Sequence, residues 1–177
     1  MSKKALMAVS FGTSIPEARC AIETLENRLR EVFPEYDVYR AFTSSMIARK
    51  IEREEGEHIP SPAELIERLA AEGYEEVVCQ SLHVIFGQEF DKLCAQLRPF
   101  KAKFRSLKIG RPLLWESGDY LRLTTALLTT MPRLDPDEAY IFMGHGTAHP
   151  ANAAYALAEN CFRYHGAERV YVGTVEG

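Results

Sequence analysis

Several features that would announce a function are missing from this sequence. Its four cysteines, Cys20, Cys79, Cys94 and Cys161, are scattered with no CxxC spacing, so they are expected to be reduced packing residues rather than metal ligands. No apolar run approaches the roughly 20 residues that span a bilayer. Met1-Ser2-Lys3-Lys4 followed by Ala5 to Val9 imitates a signal peptide only in outline. Its apolar part is too short, and Gly12 and a helix with Glu17 follow with no cleavage pattern. Cationic charge is not in excess: the net charge of -4 gives no general attraction for nucleic acid or an anionic membrane. There is no GxSxG, HExxH, GxGxxG or Walker loop, which leaves serine hydrolases, zinc proteases and nucleotide-binding enzymes without support. No repeat of 20–50 residues and no low-complexity segment occurs. What remains is a cytoplasmic, globular composition, 46% hydrophobic and 26% charged over 177 residues, enough for one domain or one and a fraction.

Apolar runs and helical patterns alternate. Ala5 to Phe11 reads as a strand covered on both faces. Ser10-Phe11-Gly12-Thr13-Ser14 turns the chain into a helix opened by Pro16, where Ala18, Ile22, Leu25, Leu29, Val32 and Phe33 recur at helical spacing. Tyr36 to Thr43 alternates polar and apolar residues, as a more exposed strand does. Ser44 to Glu55 is helical. Ser61-Pro62-Ala63-Glu64 opens a further helix that ends at Gly73. Glu76 to Leu82 is a third strand, followed by a helix from Glu89 to Phe104 that Pro99 interrupts. Leu107 to Leu114 is a fourth strand, Gly118 to Met131 a helix, and Pro132 to Asp137 a polar connection. Ala139 to Met143 is a fifth, buried strand, Ala151 to Tyr164 a helix, and Arg169 to Val175 a sixth strand. The fold class is therefore α/β, a mainly parallel sheet flanked by helices. Residues 1–133 form a first lobe and 134–177 the start of a second. The sixth strand has no helix after it to cover it, as expected of a fragment of a larger protein.

In an open parallel sheet, ligands bind beyond the carboxyl ends of the strands. Polar residues gather at those ends: Ser10 to Ser14, Thr43 to Ser45, Ser81 to Glu89, Gly144 to His149, and Glu176. His145 stands between Gly144 and Gly146, where the backbone bends and a bulky ligand can approach the imidazole; it is expected to do the chemistry. His149, four residues on and before Pro150, reads as a cap or rim residue. The turn Ser10–Ser14 resembles an anion cradle in which Ser10, Thr13 and Ser14 add hydroxyls to the N–H groups of a helix start; an ordinary βα turn is the alternative. His83 follows the third strand directly. Glu89 is either a first-turn acid complementing a helix dipole or a carboxylate facing the crevice. Glu176 is either a second ligand beside His145 or a solvated chain-end residue. Tyr155 and Phe162, seven apart, read as core.

Five stretches in order, SFGTS at Ser10–Ser14, RAFTSSMIARK at Arg40–Lys50, QSLHVIFGQEF at Gln80–Phe90, FMGHGTAHPANAAY at Phe142–Tyr155 and VGTVEG at Val172–Gly177, resemble the anaerobic sirohydrochlorin cobaltochelatases, class II tetrapyrrole chelatases of cobalamin synthesis. The resemblance implies a chelatase-like fold of two α/β lobes with a tetrapyrrole cleft between them. It implies Co²⁺ as substrate metal, sirohydrochlorin as the other substrate, and no nucleotide. His145 matches the family's first active-site histidine, Glu176 its metal-binding glutamate, and Glu89 a second acid of the cleft. Ser10, Thr13, Ser14 and His83 are expected to bind substrate. The family's second metal-binding histidine lies beyond Gly177, which leaves a non-catalytic tetrapyrrole or metal carrier as the alternative. Fe²⁺ or Ni²⁺ in place of Co²⁺, and a homo-oligomer, stay open.

Overall fold

The computed structural model describes residues 2–176. Its strands are β1 (Lys4–Ser10), β2 (Asp37–Phe42), β3 (Glu76–Ser81), β4 (Ser106–Ile109), β5 (Tyr140–Gly144) and β6 (Val170–Thr174). Its helices are α1 (Pro16–Val32), α2 (Ser45–Glu55), α3 (Pro62–Ala71), α4 (Gln88–Leu97), α5 (Ser117–Thr130) and α6 (Ala153–Tyr164). Local chemistry sets the boundaries. Pro16 stands in the first turn of α1, where its missing N–H costs no hydrogen bond. Ser44 caps α2 by accepting the Ile47 N–H, and Gly56 ends that helix in the left-handed region at φ 72°. Ser61 and Glu64 form a reciprocal capping box on α3. Pro99 interrupts its helix as expected: α4 stops at Leu97, and Arg98–Lys103 continues as a tighter 3-10 turn.

The chain divides into two compact units. One runs to His83 and resumes over Glu89–Pro112. The other takes Val84–Gln88 and the chain from Leu113 onward. The boundary expected at residues 133 and 134 falls inside the second unit, between α5 and β5. Val84–Gln88 joins that unit because Ile85 bridges Leu114 in parallel and the Leu114 N–H donates to the Val84 carbonyl over 2.8 Å.

The first unit is a four-stranded parallel sheet in the order β2-β1-β3-β4, with Ala5 opposite both Asp37 and Val77. β1 is central, and Ala5 to Val9 are all at most 3% exposed, as a strand covered on both faces should be. Ala5, Met7 and Val9 share one core with Leu65 and Leu69 of α3 and Leu93 and Leu97 of α4. The alternating β2 lies on the edge. Because the chain passes from β1 to β2 on one side and returns to β3 on the other, the topological switch lies between β1 and β3. A ligand crevice opens beyond the strand ends at such a place.

α1 departs from its sequence pattern. Its buried residues are Arg19 and Glu26, while Leu25 and Val32 are 51% and 49% exposed. The inward face is polar because each charge has a partner. Arg19 forks onto Glu55 over 2.6 and 2.8 Å, and Arg40 of β2 forks onto Glu26 over two bonds of 2.7 Å.

In the second unit β5 and β6 pair in parallel, Tyr140 opposite Val170, with α5 and α6 joined through Tyr120, Ala154 and Cys161. The α/β class with helix-flanked parallel strands is as expected, and among the described residues those strands form two parallel sheets, of four and two strands. The fifth strand is not fully buried. Phe142 stacks on Phe162 of α6 at 5.4 Å, but the opposite face carries Ile141 and Met143 at 71% and 72% exposure. One helix layer covers one face of this pair, and nothing described covers the other. Among the described residues no helix is long and apolar enough to cross a membrane.

Candidate functional site

The polar strand ends expected on one edge are shared between two. At the end of the four-stranded sheet lie Ser10–Ser14 after β1, Thr43 after β2, and Ser81 and His83 with Glu89 after β3. At the end of the two-stranded sheet lie His145 and Glu176.

His145 and Glu176 are brought together by backbone pairing that runs past the ends of their strands. The Val175 N–H donates to the Gly144 carbonyl over 3.1 Å and the Glu176 N–H to the His145 carbonyl over 2.9 Å. The carboxylate Oε2 of Glu176 then stands 3.8 Å from His145 Nε2, with the side chains 67% and 80% exposed. The imidazole is open to solvent and paired with an acid, a donor set of one nitrogen and one carboxylate suited to a divalent transition metal. Among the described residues, no group of three or more His, Cys, Asp and Glu side chains forms a metal-ligand cluster.

The glycines beside His145 bend the backbone, Gly146 in the left-handed region, and also make room for protein atoms. A Cβ on Gly144 would enter the Tyr155 ring, and one on Gly146, at φ +84°, would enter the backbone carbonyl of Glu176. Both positions thus admit neighbouring protein atoms that any larger residue would displace. Gly146→Ala should therefore cost stability, about 1 kcal/mol from the left-handed backbone alone, and separate Glu176 from His145. A denaturant titration, with nuclear Overhauser contacts between the two side chains, checks both effects. Tyr155, expected as core, is half-buried and its hydroxyl accepts the Gly146 N–H over 3.4 Å. His149 is the cap expected: its Nδ1 accepts the Ala151 N–H over 3.1 Å.

In the first unit His83 is held on both ring nitrogens, Nδ1 2.9 Å from Ser81 Oγ and Nε2 3.5 Å from Thr43 Oγ1. Burial pushes its imidazole below the usual value, opposed by the nearby Glu89 charge. Burial works to raise the Glu89 carboxyl, but hydrogen bonds from Lys92 and Thr43 and the charges of Lys92 and His83 outweigh it and hold it below the usual carboxylate range. Lys92 Nζ lies 2.7 Å from Glu89 Oε1. Thr43 and Ser81 were not singled out from sequence, although both stand in the polar strand ends that carried the signal.

No side chain caps α1, whose N-cap is Ile15, so its first N–H groups receive no side-chain acceptor. Thr13 Oγ1 accepts the Ile15 N–H over 3.2 Å, leaving its hydroxyl proton to donate. Ser14 is half-buried. The Ser10 hydroxyl, expected to touch substrate, is closed off from solvent with no partner, because Ser10 is the last residue of the buried central strand.

The sign of the His83 shift makes a prediction. Its folded value lies below the ordinary 6.5, so the unfolded chain binds more protons as pH falls through that value, and stability falls with it. Urea titrations between about pH 7.5 and 5 should show a steeper loss for the wild type than for His83→Gln.

The sequence model of the family described as cobalt chelatase (CbiK) matches residues 4–177. The chain belongs to the CbiK cobalt chelatase family. It is 42% identical over 160 residues to the sirohydrochlorin cobaltochelatase of Salmonella typhimurium, a match covering 89% of this chain and 60% of that protein. It is 35% identical over 181 residues to the sirohydrochlorin cobaltochelatase CbiKC of Nitratidesulfovibrio vulgaris, covering 100% of this chain and 63% of the relative. The chain thus spans about three-fifths of the length of the curated relatives it matches. In this CbiK-family chain, His145 and Glu176 and the cluster around Glu89 all fall within the matched residues.

Proposed function

We propose that this protein inserts Co²⁺ into sirohydrochlorin, the substrate in the names of both relatives. The observation that carries the reading is the exposed His145 imidazole at the end of β5, its Nε2 3.8 Å from the Glu176 carboxylate. In the overall exchange, one Co²⁺ enters the ring and two pyrrole N–H protons leave, so the macrocycle's charge is unchanged. A neutral imidazole with an adjacent carboxylate suits Co²⁺ as it sheds water, and the same imidazole nitrogen, when not ligating, accepts a proton. Glu89 is the second proton acceptor; it is already ionised at neutral pH, so it has room for the proton. Thr13, Ser14 and the uncapped N–H groups of α1 suit the carboxylates on the rim of the macrocycle, with His83 alongside. Ser10 supports that turn from beneath. The scheme involves no nucleotide, nucleic acid or membrane and runs in the cytoplasm.

The test is to mix the protein with sirohydrochlorin and Co²⁺ and follow the visible spectrum. Many metallated rings per chain support the enzyme. Uptake that stops at one ring per chain contradicts it and identifies a carrier.

A further inference from the structure

His145 stands between two glycines, the residues that leave a backbone most free to move. Its imidazole is 80% exposed, so whatever keeps it beside Glu176 acts on the backbone around it. β6 supplies one side, through the Glu176 N–H on the His145 carbonyl. α6 and the turn that leads into it supply the other. Gly146 is buried, and its N–H donates to the Tyr155 hydroxyl over a long bond of 3.4 Å. The next N–H, of Thr147, donates to Asn152 Oδ1 over 3.1 Å. The Tyr155 ring also fills the place that a side chain on Gly144 would take. One tyrosine therefore touches both neighbours of His145: its ring requires glycine on one side, and its hydroxyl ties down the glycine on the other. α6 is a firm support for this. Its Phe162 stacks on Phe142 of β5 at 5.4 Å, and its Ala154 and Cys161 are buried in one core with Tyr120 of α5.

We infer that Tyr155 and Asn152 are positioning residues for His145: they tie the two N–H groups that follow it to the start of α6 and so hold the imidazole beside Glu176. Its consequence for metal binding rests on the reading above that His145 meets Co²⁺. Neither side chain is assigned a contact with Co²⁺ or with the macrocycle. The two bonds let the ring be bare and fixed at once. A ligand already ordered through its backbone loses less freedom when it takes up a cation. Without the Tyr155 hydroxyl, the Gly146 N–H is left buried and unpaired, or the segment shifts until water reaches it. The shift carries His145 away from Glu176, because the flanking glycines offer little resistance.

The experiment uses the full chain, first without metal. In the wild type the Gly146 and Thr147 amides should exchange slowly with solvent, and the His145 and Glu176 side chains should show a nuclear Overhauser contact. Tyr155→Phe keeps the ring against Gly144 and removes the hydroxyl; Asn152→Ala removes the amide and is the second handle should the first variant fold poorly. Each should speed exchange of its own partner amide by about three- to tenfold and weaken the contact between His145 and Glu176. Asn152→Asp, which keeps an accepting oxygen, should restore slow exchange at Thr147. Co²⁺ alone is then added. The level that half-perturbs the His145 ring signals should rise by about three- to tenfold in Tyr155→Phe and in Asn152→Ala. A merely structural role would lower the melting temperature and move neither the contact nor the Co²⁺ midpoint. An unmoved contact in the folded variants, or an unmoved midpoint where the wild type binds, overturns the inference. If the contact weakens in the variants while Co²⁺ leaves His145 unperturbed even in the wild type, the positioning stands and the assignment of His145 to the metal fails.

Discussion

On the proposed function, His145→Ala should lower Co²⁺ insertion by about 100-fold or more, the range for loss of a proton-handling group, with the proposed metal ligand lost as well. The fold should be unaffected, because the side chain is 80% exposed and supports no core contact. That combination makes the variant informative. A melting curve that overlays the wild type, with turnover almost gone, assigns the loss to chemistry. Glu176→Gln should raise the Co²⁺ concentration needed for half-maximal rate more than it lowers the saturated rate, since the amide keeps the shape and loses the charge. Near-normal turnover by His145→Ala would remove the basis of the functional reading.

Arg40→Ala should destabilise the protein by about 3 kcal/mol, the cost of leaving a buried charge without its partner. Glu26 is 2% exposed, and Arg40 meets both of its oxygens at 2.7 Å. Glu23 lies 3.4 Å from the same guanidinium but is half exposed, so its loss alone should matter little. Removing both members of the inner pair, Glu26→Met with Arg40→Met, should recover most of the loss, because packed hydrocarbon replaces a satisfied pair at little net cost. Urea unfolding of the two variants measures this. A loss under 1 kcal/mol for Arg40→Ala would mean that water or a neighbouring group reaches Glu26.

Much of the fold was legible from short-range chemistry. Pro16, Ser44, Ser61 with Glu64, and Pro99 mark helix boundaries through hydrogen bonds a few residues away, and the structure places them as expected. The apolar run Ala5–Val9 of β1 and the alternating β2 were read as a strand covered on both faces and a more exposed one, and the structure agrees. What was not legible depends on long-range pairing. The apolar run from Tyr140 to Met143 reads the same whether it joins a large sheet or a pair. Its partner, β6, decides the matter from 30 residues away, leaving Ile141 and Met143 exposed. The helical stripe of α1 was misleading for the same reason: the charges it turns inward are met by Glu55 and Arg40 from other elements. At the site, His145 and Glu89 could be singled out because each follows a strand end. The cause of the glycines beside His145 could not, since it lies in Tyr155 and the Glu176 carbonyl.

The central claim is that the bare imidazole of His145, with Glu176 beside it, is where a divalent cation is met. Co²⁺ is paramagnetic and displaces the resonances of atoms it touches, so histidine-selective NMR of the full chain during Co²⁺ addition reads this directly. The account predicts that the His145 ring signals shift or vanish first, ahead of those of His58, His83, His149 and His165, and that Glu176→Gln moves the effect to higher Co²⁺. An unperturbed His145 at a Co²⁺ level that shifts another histidine would contradict it.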